Sequence, residues 1–418
     1  VWPETFSYTT EEAMKMKMPV AAFHLGAPAE RVRKYNKGII IDSLDAGCAL
    51  DKILETVQKR ELKMAKEAKV LFVIDFESFA SRYRVEHLRE HLAYIGIASE
   101  LLFAKDVNLE EICKYTVVSI YRCTDVQKIQ KIAEATKKAG IKLIFDVDDL
   151  VFDYKKIAYL DFLQTEEYKD FDEYCANVGK CMELCDVLTT STKTLADEIK
   201  LTFPNKKVIV CRNAACLEMQ LLSEIAIEND TKEITDKVVL GYFSGSHTHN
   251  RDWLLIEESV IRVMEDNRNV ELLLVGALQV SKKILSMGGR VQQVPFVDWR
   301  LLPKLLRSID INLMPLENEL FHQCKSENKW MEAGLVGVPT IASYNAELEN
   351  VMEYGTNVIF CKTQEDWYQS IGSLVNDEQL RTRIGDNALK EIYKTHLVTS
   401  DLNYKEILEE ITGKKDCV

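Results

Sequence analysis

What this chain lacks narrows its function before any motif is read. No apolar run reaches the roughly 18 residues that span a bilayer, which argues against an integral membrane protein. Positive charge is short: 53 Lys and Arg stand against 66 Asp and Glu, a net charge of −13. General nucleic-acid binding wants a basic face and is not expected. The Gly-rich turn of a dinucleotide fold is missing after the first strand-like run, so NAD is not supported. No secretory leader is recognisable, and the chain opens Val-Trp-Pro-Glu without a Met. Metal-ligand spacing is also missing. Cys181 and Cys185 stand one helical turn apart with no second pair nearby. His247-x-His249 has no acidic or cysteine partner at a suitable distance. Buried thiols and loop histidines are the readings taken. The 11 cysteines are scattered, several in apolar context (Cys113, Cys211, Cys361), which fits reduced thiols in a cytosol rather than a disulfide framework.

What is present is enough chain for two or three domains: 418 residues, 47% hydrophobic and 28% charged, the balance of a globular protein. Its chemistry concentrates in Phe321–Ser343, FHQCKSENKWMEAGLVGVPTIAS. Lys325, Ser326 and Lys329 lead into a helix that holds Glu332. Gly337 and Pro339 end it, and Thr340–Ser343 reads as a buried strand. A helix start carries free N–H groups and the positive end of the dipole. Two lysines and a hydroxyl there suggest phosphate, and the carboxylate further in suggests a sugar diol. The alternative is an ordinary solvated helix start.

The rest alternates strand and helix, which predicts doubly wound α/β lobes. Lys69–Asp75 is the first buried strand of one lobe. Ser78, Ser81, Arg82 and Arg84 follow at its carboxyl end, where such folds bind ligands. Strands at Val117–Arg122 and Leu143–Asp146 come next. The second runs into Asp146-Val147-Asp148-Asp149, which admits three readings: a metal-binding Asp-x-Asp, a phospho-acceptor site, or a cleft-edge loop touching an acceptor. The third is preferred, with Asp148 and Asp149 as acceptor-side candidates. Lys207–Asn213 ends the lobe, and Glu218–Lys232 reads as a polar linker and hinge. A second lobe starts with the strand Lys237–Phe243. Ser244 and Gly245 follow it, small residues that let backbone N–H groups reach a phosphate, and Arg251 offers a bidentate fork. Strands at Val270–Gly276, Val291–Phe296 and Ile309–Leu313 lead into the opening stretch.

Glu332-Ala333 with Gly337-Val338-Pro339 resembles the nucleotide-sugar motif of glycosyltransferase family 4, and the run from Ser78 to Arg84 followed by FDVDDLVFD resembles the first lobe of its bacterial members. The family's first motif Glu is not matched: eight positions before Glu332 stands Cys324. The resemblance implies a GT-B fold, two Rossmann-like lobes facing a cleft. It implies retaining, metal-independent transfer of a sugar from a nucleotide-diphosphate donor, the donor being substrate rather than cofactor, to a glycan or lipid-linked acceptor. Arg251 and Lys325, with the helix start, would stabilise charge on the departing diphosphate. Ser244, Gly245 and Ser326 would bind the donor, and Glu332 the ribose hydroxyls. Phe296 would pack on the base, with a plain core position as the alternative. The reading requires Arg251 and Lys325 to face the same groove.

Residues 1–45 repeat part of the second lobe. Shifted by 320 positions, Glu12-Ala13 falls on Glu332-Ala333, Pro19 on Pro339, and Val20–Ala22 on Thr340–Ala342. Here the Glu pair, Glu4 and Glu12, is intact. These residues are expected to be the tail of a preceding module in a longer polypeptide. The expected division is 1–45, a helical connector 46–68, lobes 69–232 and 233–395, and a tail 396–418 crossing back. The expected location is cytoplasmic, with peripheral membrane contact open. Two other activities stay open: a non-catalytic sugar-nucleotide or glycan-binding module, and a sugar-nucleotide epimerase of the same fold.

Overall fold

The computed structural model describes residues 8–15, 18, 20–24, 26–35, 37–42, 49, 52–53, 68–230, 236–245 and 250–413. Glu4, Pro19, the Glu12 side chain, His247, His249 and nearly all of the 46–68 connector lie outside them. The chain divides into two compact units, one formed mainly by residues 1–69 and the other by nearly all the rest. The small unit has helices Tyr8–Lys15 and Gly26–Lys34, each followed by a strand: β1 (Val20–Phe23) and β2 (Gly38–Ile41). The strands pair parallel, Val20 opposite Gly38.

The large unit holds two sheets of six strands each. The first lobe has β3 (Lys69–Ile74), β4 (Ala98–Phe103), β5 (Val117–Tyr121), β6 (Lys142–Asp146), β7 (Val187–Thr190) and β8 (Lys207–Val210), in the spatial order β4-β3-β5-β6-β7-β8. The second has β9 (Val238–Phe243), β10 (Val270–Val275), β11 (Val291–Val294), β12 (Ile311–Met314), β13 (Thr340–Ser343) and β14 (Ile359–Cys361), ordered β11-β10-β9-β12-β13-β14. Parallel strands covered by helices on both faces read as continuous apolar runs, and KVLFVI and VELLLV are buried almost throughout. Edge strand β4, ASELLF, is mostly half-buried, carries a Glu, and gave no such signal. Each sheet reverses its winding beside its first strand, between β3 and β5 and between β9 and β12. Open α/β sheets bind ligands at the carboxyl ends of strands next to such a reversal.

Two segments differ from expectation. Leu217–Glu228 is a twelve-residue helix, not an open linker, because LEMQLLSEIAIE carries enough good helix formers to outweigh its acidity. Cys113 is exposed, whereas the other eight described cysteines are buried. The tail returns to the first lobe: Ala215 exchanges backbone hydrogen bonds with His396 and Val398, and Glu410 pairs with Lys142 and Lys207. The small unit has the same element order as a piece of the second lobe. Helix, β1, helix, β2 follow the order of helix Asn328–Gly334, β13, helix Ala346–Glu349 and β14, and both strand pairs are parallel.

Candidate functional site

A cavity of about 380 Å³ opens between the lobes at these strand ends. The first lobe contributes Phe79, Ala80 and Tyr83 after β3, Asp148 and Asp149 after β6, and Asn213 after β8. The second contributes Ser244 and Gly245 after β9, Phe296 and Val297 after β11, and the segment Lys325–Glu332. Gly276 brings the loops together. Its φ is +102°, and a Cβ there would lie 1.9 Å from the Ser244 carbonyl oxygen, so only glycine allows β9 and β10 to end this close.

Lys325, Ser326 and Glu332 meet the other lobe directly. The Lys325 Nζ lies 2.6 Å from Asp149 Oδ1. Ser326 Oγ accepts a hydrogen bond from Asn213 Nδ2 at 3.1 Å, and Asn328 Oδ1 accepts another at 3.0 Å. Tyr83 donates its hydroxyl to Glu332 at 2.5 Å. Burial pushes the Glu332 carboxyl up, against the opposing pull of that hydrogen bond, Arg82 and Lys329. Lys329, in the first turn of helix Asn328–Gly334, stands four residues after Lys325, which precedes that helix. Its Nζ is shielded from solvent, has no hydrogen-bond partner and lies 4.8 Å from the centre of the Tyr242 ring. Burial holds its pKa below the usual lysine value. Asp252 and Glu332 act on that ammonium through space, but neither is hydrogen-bonded to it.

The helix start does not add to this. Helix Asn328–Gly334 has only seven residues, and Glu327 occupies its cap without capping it. The Glu327 carboxylate is buried against His396 at 3.0 Å and Arg212 at 3.4 Å. The anion site suggested by the sequence therefore reduces to side chains. Cys324 points elsewhere. It packs in the core of the first lobe beside Leu320 and Phe321, its carbonyl accepts from Thr192 Oγ1 at 3.0 Å, and burial pushes its thiol up to about 12.

The remaining candidates divide. Ser244, Gly245, Phe296, Asp148 and Asp149 line the cavity. Phe296 is 61% exposed, so it is not a core aromatic. Asp148 accepts from Tyr121 at 2.9 Å and from Arg122 at 3.1 Å. Arg122 has φ +45°, a left-handed backbone rare outside glycine and often found at functional sites.

Ser81, Arg82, Arg84 and Arg251 are not among the residues lining the cavity. Ser81 and Ser78 cap their own turn reciprocally. Arg84 is buried and fully used. It binds Asp146 through Nε at 2.9 Å and Nη2 at 2.7 Å, and gives Nη1 to the Cys211 carbonyl and to Asn213. Arg82 stacks among aromatic rings. Arg251 is 43% exposed, with its guanidinium between Asp161 of the first lobe at 3.0 Å and Glu317 of the second at 2.8 Å. The pairing of Arg251 with Lys325 in one groove is thus replaced by Lys325 with Lys329. Their spacing, i and i+4 in the motif, was the available signal. Tyr83 and Asn213 gave no sequence sign of facing the second lobe's motif.

Residues 237–377 match the family model described as glycosyl transferases group 1, about a third of the chain. No curated protein matches the chain in sequence. Among solved structures, Anabaena HepE in complex with UDP and glucose is 14% identical, with a TM-score of 0.56, over 83% of this chain and 100% of that one. A glycosyltransferase from Rickettsia africae is 12% identical, with a TM-score of 0.58, over 84% and 100%. Sucrose-phosphate synthase from Thermosynechococcus elongatus is 12% identical, with a TM-score of 0.56, over 83% and 99%. The large unit has the GT-B fold that these structures share. Among the described residues no helix is long and apolar enough to cross a membrane.

Proposed function

We propose that the chain is a glycosyltransferase that takes its sugar from a nucleotide-diphosphate donor. One observation carries this reading. Lys325 and the unpartnered Lys329 stand in one interlobe cavity with Glu332, at the strand ends of a GT-B fold. When the glycosidic bond breaks, negative charge builds on the β-phosphate. Two ammonium groups in a half-closed cavity stabilise it more than water would. Ser326 donates from the same turn. Glu332 and Tyr83 present a hydroxyl and a carboxyl to the ribose. Phe296 and Val297 offer the apolar face a base needs. The two lysines supply neutralising charge without a metal, and the resemblance of Glu332 to Pro339 to the family 4 motif supports retention.

HepE is described in complex with UDP and glucose and with UDP-glucose, so UDP-sugars head the donor panel. The acceptor is a glycan or lipid-linked glycan, in polysaccharide or glycoconjugate synthesis. The place of action is the cytoplasm. The small unit, repeating helix Asn328–Gly334 to β14, derives from a second module of the same kind.

The test is nucleoside diphosphate release from UDP-sugars with and without acceptor glycans. Lys325→Ala should lower turnover by about a hundred-fold or more, some 3 kcal/mol of transition-state stabilisation. Unchanged turnover removes Lys325 from the mechanism. Cys324 favours one second reading. Where the family motif has a carboxylate, this chain buries a thiol in the opposite lobe's core. A non-catalytic module would bind UDP-sugars and turn none over. Donor conversion without acceptor would point to an epimerase.

A further inference from the structure

Arg82 is the residue whose chemistry is least used. All three of its guanidinium nitrogens are shielded from solvent, and none has a hydrogen-bond partner. Arginine brings five N–H donors, and leaving them unmade at a buried charged group is destabilising. Two neighbours show the contrast. Arg84 spends its guanidinium on Asp146, Cys211 and Asn213. Arg300, beside Trp299, spends its own on Glu218.

Arg82 is held by faces instead. Its guanidinium carbon lies 4.8 Å from the centre of the Phe79 ring, 4.6 Å from Tyr83 and 4.2 Å from Trp299. These cation–π contacts hold the guanidinium among the three rings. They leave the donor edges unspent. Phe79 and Tyr83 are lobe-one wall residues of the cavity, whereas Trp299 belongs to lobe two. Arg82 also begins a wide π-helical turn, Arg82–Glu86, a distortion frequent at functional sites. The Glu332 carboxyl feels the Arg82 charge but is hydrogen-bonded by Tyr83 instead.

We propose that Arg82 recognises an oxyanion on the second substrate, so that the acceptor carries a carboxylate or a phosphate. The class rests on the transferase reading; the anion site rests on Arg82 alone. Lys325 and Lys329 already serve the donor's diphosphate, so the fork left over belongs to the partner substrate. A planar fork with free edges suits bidentate capture of a carboxylate or phosphate, whereas a neutral hydroxyl would not offset its dehydration. Trp299, stacked on the guanidinium, helps to shield it from solvent, and the anion reaches the free donor edge once that ring moves aside.

That movement supplies the readout. Protein saturated with UDP is titrated with glucose 6-phosphate, with glucuronate and with glucose, following tryptophan emission; Trp299→Phe assigns the signal among the 5 tryptophans. At least one anion should give a saturable change that glucose does not, and which of them does so tells phosphate from carboxylate. Arg82→Gln should weaken it about ten- to a hundred-fold, the worth of hydrogen bonds to a charged group. Arg82→Lys, which keeps charge without the fork, should fall between. If circular dichroism shows Arg82→Gln unfolded, Arg82→Lys is the variant read. No response to either anion in the wild type, or an equal response in the folded variant, overturns the proposal. Should neither UDP nor any other nucleoside diphosphate bind, the transferase reading falls. The anion titration then proceeds on Lys325→Ala without nucleotide and still judges Arg82.

Discussion

Asp149→Asn should make the protein bind UDP more tightly. In the free chain Asp149 Oδ1 holds Lys325 Nζ at 2.6 Å, the place a diphosphate oxygen needs. Donor binding must break that pair. The side chains are 24% and 23% exposed, so the pair is neither at the surface nor in the core. Exposed pairs are worth about 0–1 kcal/mol and hydrogen bonds to charged groups about 1.5–3, which puts this one near 1–2. Removing the competitor should therefore lower the Kd for UDP about five- to thirty-fold. Arg122 keeps Asp148 at 3.1 Å, so the loop retains an anchor. Losing any negative charge near the site would also help an anion, and a double-mutant cycle separates the two causes. Calorimetric titration of UDP into wild type, Asp149→Asn, Lys325→Ala and the double variant gives the cycle. The gain should vanish in the Lys325→Ala background. A gain that persists there, or no gain at all, refutes direct competition.

Arg84→Met should destabilise the large unit by about 3–5 kcal/mol, because it leaves Asp146 buried with the Thr189 hydroxyl in place of a bidentate partner. Thermal melts check this, and Arg84→Met with Asp146→Leu should recover part of the loss. Burial lowers the His87 pKa from 6.5 to about 4. The unfolded chain therefore takes up a proton that the folded one refuses. His87's contribution is intact above 6.5 and lost as pH falls toward 4. Urea unfolding at pH 7.5 and 5 should differ by about 2 kcal/mol from this residue, and His87→Gln should flatten that difference. Lys329, its pKa held down by burial, should lose charge before an ordinary lysine does. UDP affinity should then fall as pH rises toward that lowered value, and Lys329→Arg should retain it; identical pH profiles would exclude Lys329 from the anion site.

Much of the architecture was readable from local pattern. Runs such as Lys69–Ile74 and Val270–Val275 announce buried parallel strands, and Gly337-Val338-Pro339 places the end of the motif helix. The shift of 320 positions that aligns Val20 with Thr340 reappears as two matching strand pairs. Acidity misled at Leu217–Glu228, where helix propensity prevailed. The site was legible where its residues lie within eight consecutive positions, Lys325, Ser326, Lys329 and Glu332. It was illegible where charge seeks a distant partner. Arg84 and Arg251 look like ligand-binding arginines in the sequence, yet Asp146, Asp161 and Glu317 take their guanidinium groups.

The sequence by itself determined the alternation of strands and helices and the short phosphate-facing motif, because both arise from contacts between near neighbours along the chain. Only the tertiary structure decided which groups face each other across the cleft. Tyr83 meets Glu332 249 positions away and Lys325 meets Asp149 176 positions away. Such pairings depend on how two separately folded sheets are brought together, and no local periodicity records that.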